Sequence, residues 1–245
     1  MSSGEGDMAG DEECLEPVEG PPVAFALDDV TTEPGRMAPG AASRVGLSRV
    51  TLGVRVGRFL AAVGEPGSGV TELLDCLAGT LPPVLGRVHR AAGWPVRRVR
   101  PTGLPLELRA WEVVAREVPG GGAPELRCLW RAAGLRWRSQ RRVADLSAAA
   151  RQRLAVARAA AAPPAILLAA QPASAPRGEG AALAAALRGV VDACGITAVL
   201  STADAAAAAR ADTVVFLHRG RFVDVAAGGN SGAVRAYQDR IGRRM

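Results

Sequence analysis

Apolar and polar positions along the chain follow two rhythms. Residues 50–56 alternate one for one, the period of a half-buried strand, and residues 23–30 form an extended segment before them. Residues 59–63 are an unbroken apolar run that stops at a glycine-rich turn, and residues 71–78 then read as a helix. Four well-marked stretches follow further on. Residues 147–161 predict a helix with Ser147 as its N-cap. Residues 165–169 predict a buried strand, 180–194 a helix and 197–201 a strand. A short helix over 205–211, a strand over 213–217 and a turn at Arg219-Gly220 close the series. Strands alternating with helices predict an α/β sheet with parallel strands. Between these stretches the pattern weakens. Residues 31–48 are a Gly/Pro/Ala connection. In 80–145, Pro82-Pro83 and Gly86 mark loops, and helical segments at 111–117 and 124–135 flank Gly120-Gly121-Gly122. The alanine runs at 148–150, 159–162 and 205–209 fit helix propensity, and no internal repeat is apparent.

Composition narrows the class. The chain has 245 residues, enough for one large core or one core with a small subdomain. Its 49% hydrophobic content is largely alanine, and no run of about 18 strongly apolar residues predicts a membrane span. The first twenty residues carry neither a basic stretch nor an apolar one, so no secretory signal is read. Cys14, Cys76, Cys128 and Cys194 are widely spaced, which argues against a zinc site or disulfide framework and for a reducing compartment.

Charge is unevenly spread. All 30 basic residues are arginine. Residues 1–35 hold ten acids and no arginine, which leaves fourteen acids against thirty arginines, a net +16, in the rest. A basic body of this kind suits nucleic acid or anionic lipid. A solvated arginine-rich surface explains it equally simply, and aromatics able to stack on bases are only 4%. Residues 1 to about 22 are rich in Gly, Glu and Asp and read as a disordered tail.

The most specific motif lies between the apolar run at 59–63 and the helix that follows it. Gly64, Gly67, Ser68, Gly69 and Thr71 keep the frame of a phosphate-binding loop, whose backbone N–H groups curl round phosphate oxygens at a helix N-terminus. Val70 stands where such a loop carries lysine. Taken alone, the segment is also explained as a tight strand-to-helix turn.

A second set of residues brings a family into view. Leu146 and Ser147 are followed by Ala148-Ala149-Ala150-Arg151-Gln152-Arg153-Leu154-Ala155-Val156-Ala157-Arg158-Ala159, then by Ile166-Leu167-Leu168-Ala169-Ala170-Gln171-Pro172-Ala173-Ser174-Ala175. In order and spacing this resembles the signature and second phosphate-site motifs of ATP-binding cassette transporter ATPases. Leu200-Ser201-Thr202-Ala203-Asp204 resembles that family's switch segment. Residues 211–221 resemble its closing strand, and 103–112 the stretch after its glutamine loop. The resemblance covers roughly residues 23–225. It implies a P-loop NTPase core of cassette type: a mixed sheet flanked by helices, an antiparallel β portion near the N-terminus, and a helical subdomain within about 100–160. The organisation expected is a disordered acidic tail over 1–22, a cassette-like domain over 23–227 and a C-terminal helical tail over 228–245.

The resemblance also shows what has been lost. Val70 replaces the phosphate lysine, Ala170 the metal-holding aspartate and Gln171 the carboxylate that polarises water. Ala203 replaces the switch histidine. Ala148, Ala149 and Ala150 replace the glycines and glutamine of the signature, of which Ser147 remains. Arg100 falls near the glutamine-loop position and Arg177 at a closing aspartate. Residues 31–34 offer no aromatic to stack on adenine. The expectation is a degenerate cassette with no catalytic residue, a vestigial phosphate loop and no bound metal. It needs no cofactor and keeps at most weak affinity for Mg²⁺-ATP. By resemblance, its partners are a second cassette, in a dimer, and a membrane-spanning permease on the cytoplasmic inner face of the membrane. Nucleic acid is not expected. A slow but genuine ATPase is the alternative; a basic nucleic-acid- or lipid-binding protein reusing the fold is a further one.

Other residues have simpler readings. Arg97, Arg98 and Arg100 form a basic patch near the surface that resembles the permease contact, or a solvated loop. Arg136, Arg138, Arg141 and Arg142 with Trp130 and Trp137 read as a linker face whose tryptophans pack inward. His89 and His218 read as structural, and Cys76 and Cys194 as core thiols.

Overall fold

The computed structural model describes residues 22–34, 45–91, 94–118, 123–135, 140–161, 166–171, 179–229 and 231–242. The tail expected to be disordered therefore lies outside the described residues, as do Pro172 to Arg177 and residues 136–139.

Two sheets form the frame. The smaller one contains β1 (Val23–Thr31), β2 (Val50–Arg55) and β4 (Leu85–Arg90), in the order β2-β1-β4 and antiparallel throughout. The larger one has six strands, including β3 (Phe59–Val63), β5 (Val96–Val99), β6 (Ile166–Ala170) and β7 (Thr197–Thr202). With β8 (Thr213–His218) and β9 (Arg221–Ala227) its order is β5-β6-β7-β3-β8-β9. Five strands run parallel, and β9 returns antiparallel to β8.

The apolar runs are explained by burial on both faces, as parallel strands require. Every residue of β3 is buried. Its side chains divide by the two-residue strand period. Phe59, Ala61 and Val63 join one apolar cluster. Leu60 and Ala62 join a second. The second cluster lies beneath helix α1 (Val70–Ala78) and the antiparallel sheet, through Leu27, Val54, Leu73 and Leu77.

The first cluster lies under the remaining helices. These are α2 (Ala110–Ala115), α3 (Ala123–Ala132), α4 (Ala148–Ala160), α5 (Glu179–Cys194), α6 (Ala205–Ala208) and α7 (Ser231–Gly242). Small residues let them approach closely: a Cβ at Gly189 of α5 would lie 2.0 Å from the carbonyl oxygen of Ala132, at the end of α3. In α7, Val234 and Tyr237 are buried, and the Tyr237 ring meets Phe216 at 4.5 Å between centroids.

Three strands were absent from the sequence pattern, and Gly86, taken as a loop marker, lies within β4. There a Cβ would fall 2.3 Å from Asp28 O, so glycine permits the pairing of β4 with β1. β4 shows no alternation because five of its six residues are exposed. β5 is only four residues long and carries two arginines. β9 is an exposed edge strand whose signal lay in the turn itself. Arg219 and Gly220 both have positive φ, 48° and 77°, the geometry of a two-residue hairpin.

Candidate functional site

The strand order β6-β7-β3 brings three separate segments to one edge of the larger sheet. Val63 pairs with Thr202, and Ala170 pairs with Ser201. The glycine loop after β3, Ala170-Gln171 after β6 and Ala203-Asp204 after β7 therefore emerge side by side. This is the carboxyl end of the parallel strands, where open α/β sheets place their ligands.

The loop has the backbone of a phosphate cradle. Gly67 and Gly69 have φ of 82° and 105°, and Gly69 caps α1. A Cβ at Gly69 would sit 3.0 Å from Gly220 Cα, and Gly220 N–H donates to Ser68 O at 2.8 Å, so the β8–β9 turn braces the loop. Ser68 N–H donates to Glu65 O at 2.9 Å. The Ser68 side chain is buried over Gly64, where a Cβ would meet its Oγ at 2.1 Å.

Residues 64–72 carry no cation. Val70 is half-buried at the first position of α1, and Thr71 is exposed. Sequence reasoning passed over Glu72, which is 1% exposed in the first turn of α1. Glu65 adds a second carboxylate in the loop. It faces Tyr237 closely enough to help hold the phenol up: burial, then the Glu65 charge, push its pKa to about 12.

The second wall of the edge is uncharged. Ala170 is exposed and presents only a methyl group. Gln171 is locked: its N–H donates to Ser201 O at 2.9 Å, and its Oε1 accepts the Thr202 hydroxyl at 2.6 Å. Gly180 of α5 closes the slot, since a Cβ there would lie 2.1 Å from Gln171 Nε2. Ala203 is exposed at the end of β7. Asp204 next to it is committed to α6 as its N-cap, accepting from Ala206 N at 2.9 Å and Ala207 N at 3.4 Å.

Among the described residues, no hydrogen bond ties Ser147 to this edge. It caps α4, its Oγ accepting Ala150 N at 3.3 Å, as the sequence predicted. Ala148 is exposed and Ala150 buried. Helix α4 packs on α5, α2, α3 and β5.

Residues 31–34 hold no aromatic and have a structural task. Thr32 Oγ1 accepts Leu47 N at 2.9 Å and Thr31 Oγ1 accepts Arg49 N at 3.1 Å.

Other expectations need correction. Arg97 and Arg98 lie on strand β5, not in a loop, and both are ion-paired, Arg97 with Glu117 at 3.0 Å and Arg98 with Asp75. Cys76 is a core thiol, but Cys194 is exposed at the last residue of α5, beside Cys128 of α3. Trp130 is half-buried against the helical cluster, its Nε1 donating to Leu135 O at 2.5 Å; Arg141 and Arg142 are exposed. Among the described residues, no helix is long and apolar enough to cross a membrane.

Known proteins resemble the chain in sequence and in fold. The chain is 37% identical over 129 residues to a zinc import ATP-binding protein, ZnuC, of Roseobacter denitrificans, covering 51% of this chain and 50% of that one. It is 32% identical over 158 residues to a taurine import ATP-binding protein, TauB, of Sinorhizobium fredii, covering 57% of each. The chain thus spans about half the length of the curated relatives it matches. A dimeric bacterial ABC transporter cassette superposes with a TM-score of 0.62 over 83% of this chain and 98% of its own, at 24% identity. A metal-chelate type ABC transporter superposes at 0.63 over 85% and 84%, at 18% identity. No family model matches the chain.

Proposed function

We infer, from its likeness to the ATP-binding cassette ATPases of transporters, that this chain is a cassette subunit that no longer hydrolyses ATP. In this reading it serves as a structural or regulatory partner in a transporter complex. The observation that carries the reading is the loop's missing cation: uncharged Val70 stands at the first position of α1, and residues 64–72 hold no basic side chain. Charge stabilisation is most of phosphoryl-transfer catalysis, and Val70 supplies none. Ala170 offers no side-chain oxygen to a metal. Gln171 cannot take a proton from water at neutral pH, and its carboxamide already holds Thr202. The residues present do not fit Mg²⁺-ATP as a tightly held substrate.

The proposed partners follow from the same likeness. They are a second cassette, facing this one as a dimer, and a membrane-spanning permease, with the chain peripheral on the cytoplasmic face of the membrane. The domain limits proposed are 23–227 for the cassette, with 228–245 as a helical extension.

One observation favours the alternative of a slow, genuine ATPase. The left-handed glycines and the exposed Thr71 keep a phosphate-shaped backbone. Turnover by the purified chain decides between the two. The expected result is no phosphate release from Mg²⁺-ATP above a buffer blank. Release that disappears in Thr71→Ala would overturn the non-hydrolysing reading.

A further inference from the structure

At the far end of α1, about 12 Å along its axis from the phosphate loop, the fold gathers a second set of charges. A cleft of about 360 Å³ opens there, lined by Arg97, Arg98, Arg100 and Arg158 with Thr80 and Glu117. The arginines come from two elements distant in sequence, β5 with the residue after it, and α4. β5 is an edge strand of the larger sheet, so its side chains reach the cleft from both faces. Its outer edge also presents backbone groups that no neighbouring strand pairs.

The four guanidinium groups fall into two kinds. Arg97 and Arg98 are held in place. Arg97 donates to Glu117 Oε2 at 3.0 Å. Arg98 donates to Asp75, to Leu74 O at 3.3 Å and to Thr80 Oγ1 at 3.4 Å. These bonds use only some of the five N–H donors on each group. They fix the direction of the rest. With Arg90, which donates to Cys76 O at 3.3 Å, Arg98 also answers the negative end of the α1 dipole. Arg100 and Arg158 have no side-chain acceptor among the described residues. Four arginines against the carboxylates of Glu117 and Asp75 leave an excess of two positive charges. Convergent cations without a counter-ion repel one another. A dianion supplies what the protein does not, and Arg is suited to phosphate because its fork matches two oxygens at once. The volume is at the small end of ligand clefts, enough for a phosphate or pyrophosphate group with little attached.

The geometry points to a binding site for a phosphate monoester or pyrophosphate group in this cleft, separate from the phosphate loop. Arg97 and Arg98 form the preset floor, and Arg100 and Arg158 close on the ligand. The group belongs either to a small soluble molecule or to a membrane lipid headgroup. The inference does not depend on whether the chain hydrolyses ATP.

The test uses the full chain with inorganic pyrophosphate, followed by calorimetry at constant ionic strength. Three proteins are compared: the parent, Arg100→Ala/Arg158→Ala, and Arg210→Ala/Arg235→Ala. The last pair removes the same charge from exposed positions outside the cleft. The first pair breaks no side-chain bond of the fold, and circular dichroism checks that it is folded. Saturable binding is expected in the parent and in the control, weakened about tenfold or more in the cleft variant. Co-sedimentation with phosphatidylcholine vesicles, with and without phosphatidic acid, assigns the source. Retention on phosphatidic acid that is lost in the cleft variant alone supports a lipid headgroup, with or without soluble binding. Soluble binding without retention supports a small molecule. Binding that survives in the cleft variant, or falls equally in the control, overturns the site. So does the absence of both pyrophosphate binding and vesicle retention in the parent.

Discussion

Thr202 donates its hydroxyl to Gln171 Oε1 at 2.6 Å, and Thr202 Oγ1 accepts the backbone N–H of Asp204 at 2.9 Å. One buried side chain thus joins the ends of β6 and β7 to the cap of α6. The carboxamide works here as a structural acceptor. Thr202→Val removes both bonds and should cost about 2 kcal/mol, while Thr202→Ser, which keeps the hydroxyl, should cost under about 1 kcal/mol. Urea denaturation measures both. Equal losses in the two variants would mean that packing, not the bonds, holds this edge.

Tyr237 is the single tyrosine of the chain, so its ionisation can be followed without ambiguity. Burial, then the Glu65 charge, raise its pKa from 10.0 to about 12, and its hydroxyl donates to Leu217 O at 2.6 Å. The neutral phenol is favoured in the fold, so its stabilisation is complete below pH 10 and is lost as pH rises through 12. Ultraviolet titration should give a phenolate midpoint near 12 in the native chain and near 10 in urea. A native midpoint near 10 would show that α7 does not cover this ring in solution.

Asp212 binds two elements at once. Its Oδ2 accepts Phe59 N at 2.7 Å, at the start of β3, and its Oδ1 accepts Arg188 of α5 at 3.0 Å. Arg188 also pairs with Asp192 at 2.6 Å and lies 5.8 Å from the Phe59 ring centroid. Asp212→Ala strands a backbone donor and removes one of the two carboxylates on Arg188, and should cost about 2–3 kcal/mol. Arg188→Ala should cost less, and the pair should fall short of the sum, since they share one network. Additive losses in chemical denaturation would contradict that coupling.

Exposed thiols give a chemical check on α3 and α5. Burial, then the neighbouring Cys128, raise the Cys194 pKa above the ordinary thiol value. Its alkylation by iodoacetamide should therefore begin at higher pH in the native chain than in urea, because only the thiolate reacts. Cys76, buried and likewise raised, should stay unmodified until unfolding. Peptide mapping after timed alkylation reads each site. A native Cys194 as fast as the unfolded one would show that α3 does not pack beside it.

The elements that sequence alone made legible are those whose pattern reports burial. β3, β6, β7 and β8 are apolar because both faces are covered, and Ser147 announced α4 by its capping chemistry. β4 and β9 were not legible. Their residues are largely exposed, and what makes them strands is the partner beside them, β1 and β8. The site divides in the same way. Val70, Ala170 and Ala203 could be placed on one edge because the motifs fix their order along adjacent strands. Glu72 escaped because what sets it apart is burial at a helix end, which no spacing rule records.

The phosphate loop can be repaired one residue at a time. If Val70 were the sole defect, Val70→Lys would restore ATP binding, since Gly64, Gly67, Gly69 and Thr71 are in place. A charge-assisted hydrogen bond contributes about 1.5–3 kcal/mol, or about 10- to 100-fold in affinity. Val70→Lys alone should therefore improve ATP binding by about tenfold and give no turnover, because Ala170 and Gln171 bring no carboxylate to metal or water. Adding Ala170→Asp and Gln171→Glu should then make binding depend on Mg²⁺, still without turnover, because Ala203 and the alanines after Ser147 are unchanged. Calorimetry with and without Mg²⁺ separates these steps. Tight Mg²⁺-ATP binding by the parent chain, or turnover with Val70→Lys alone, would show that this pocket still works as a nucleotide site.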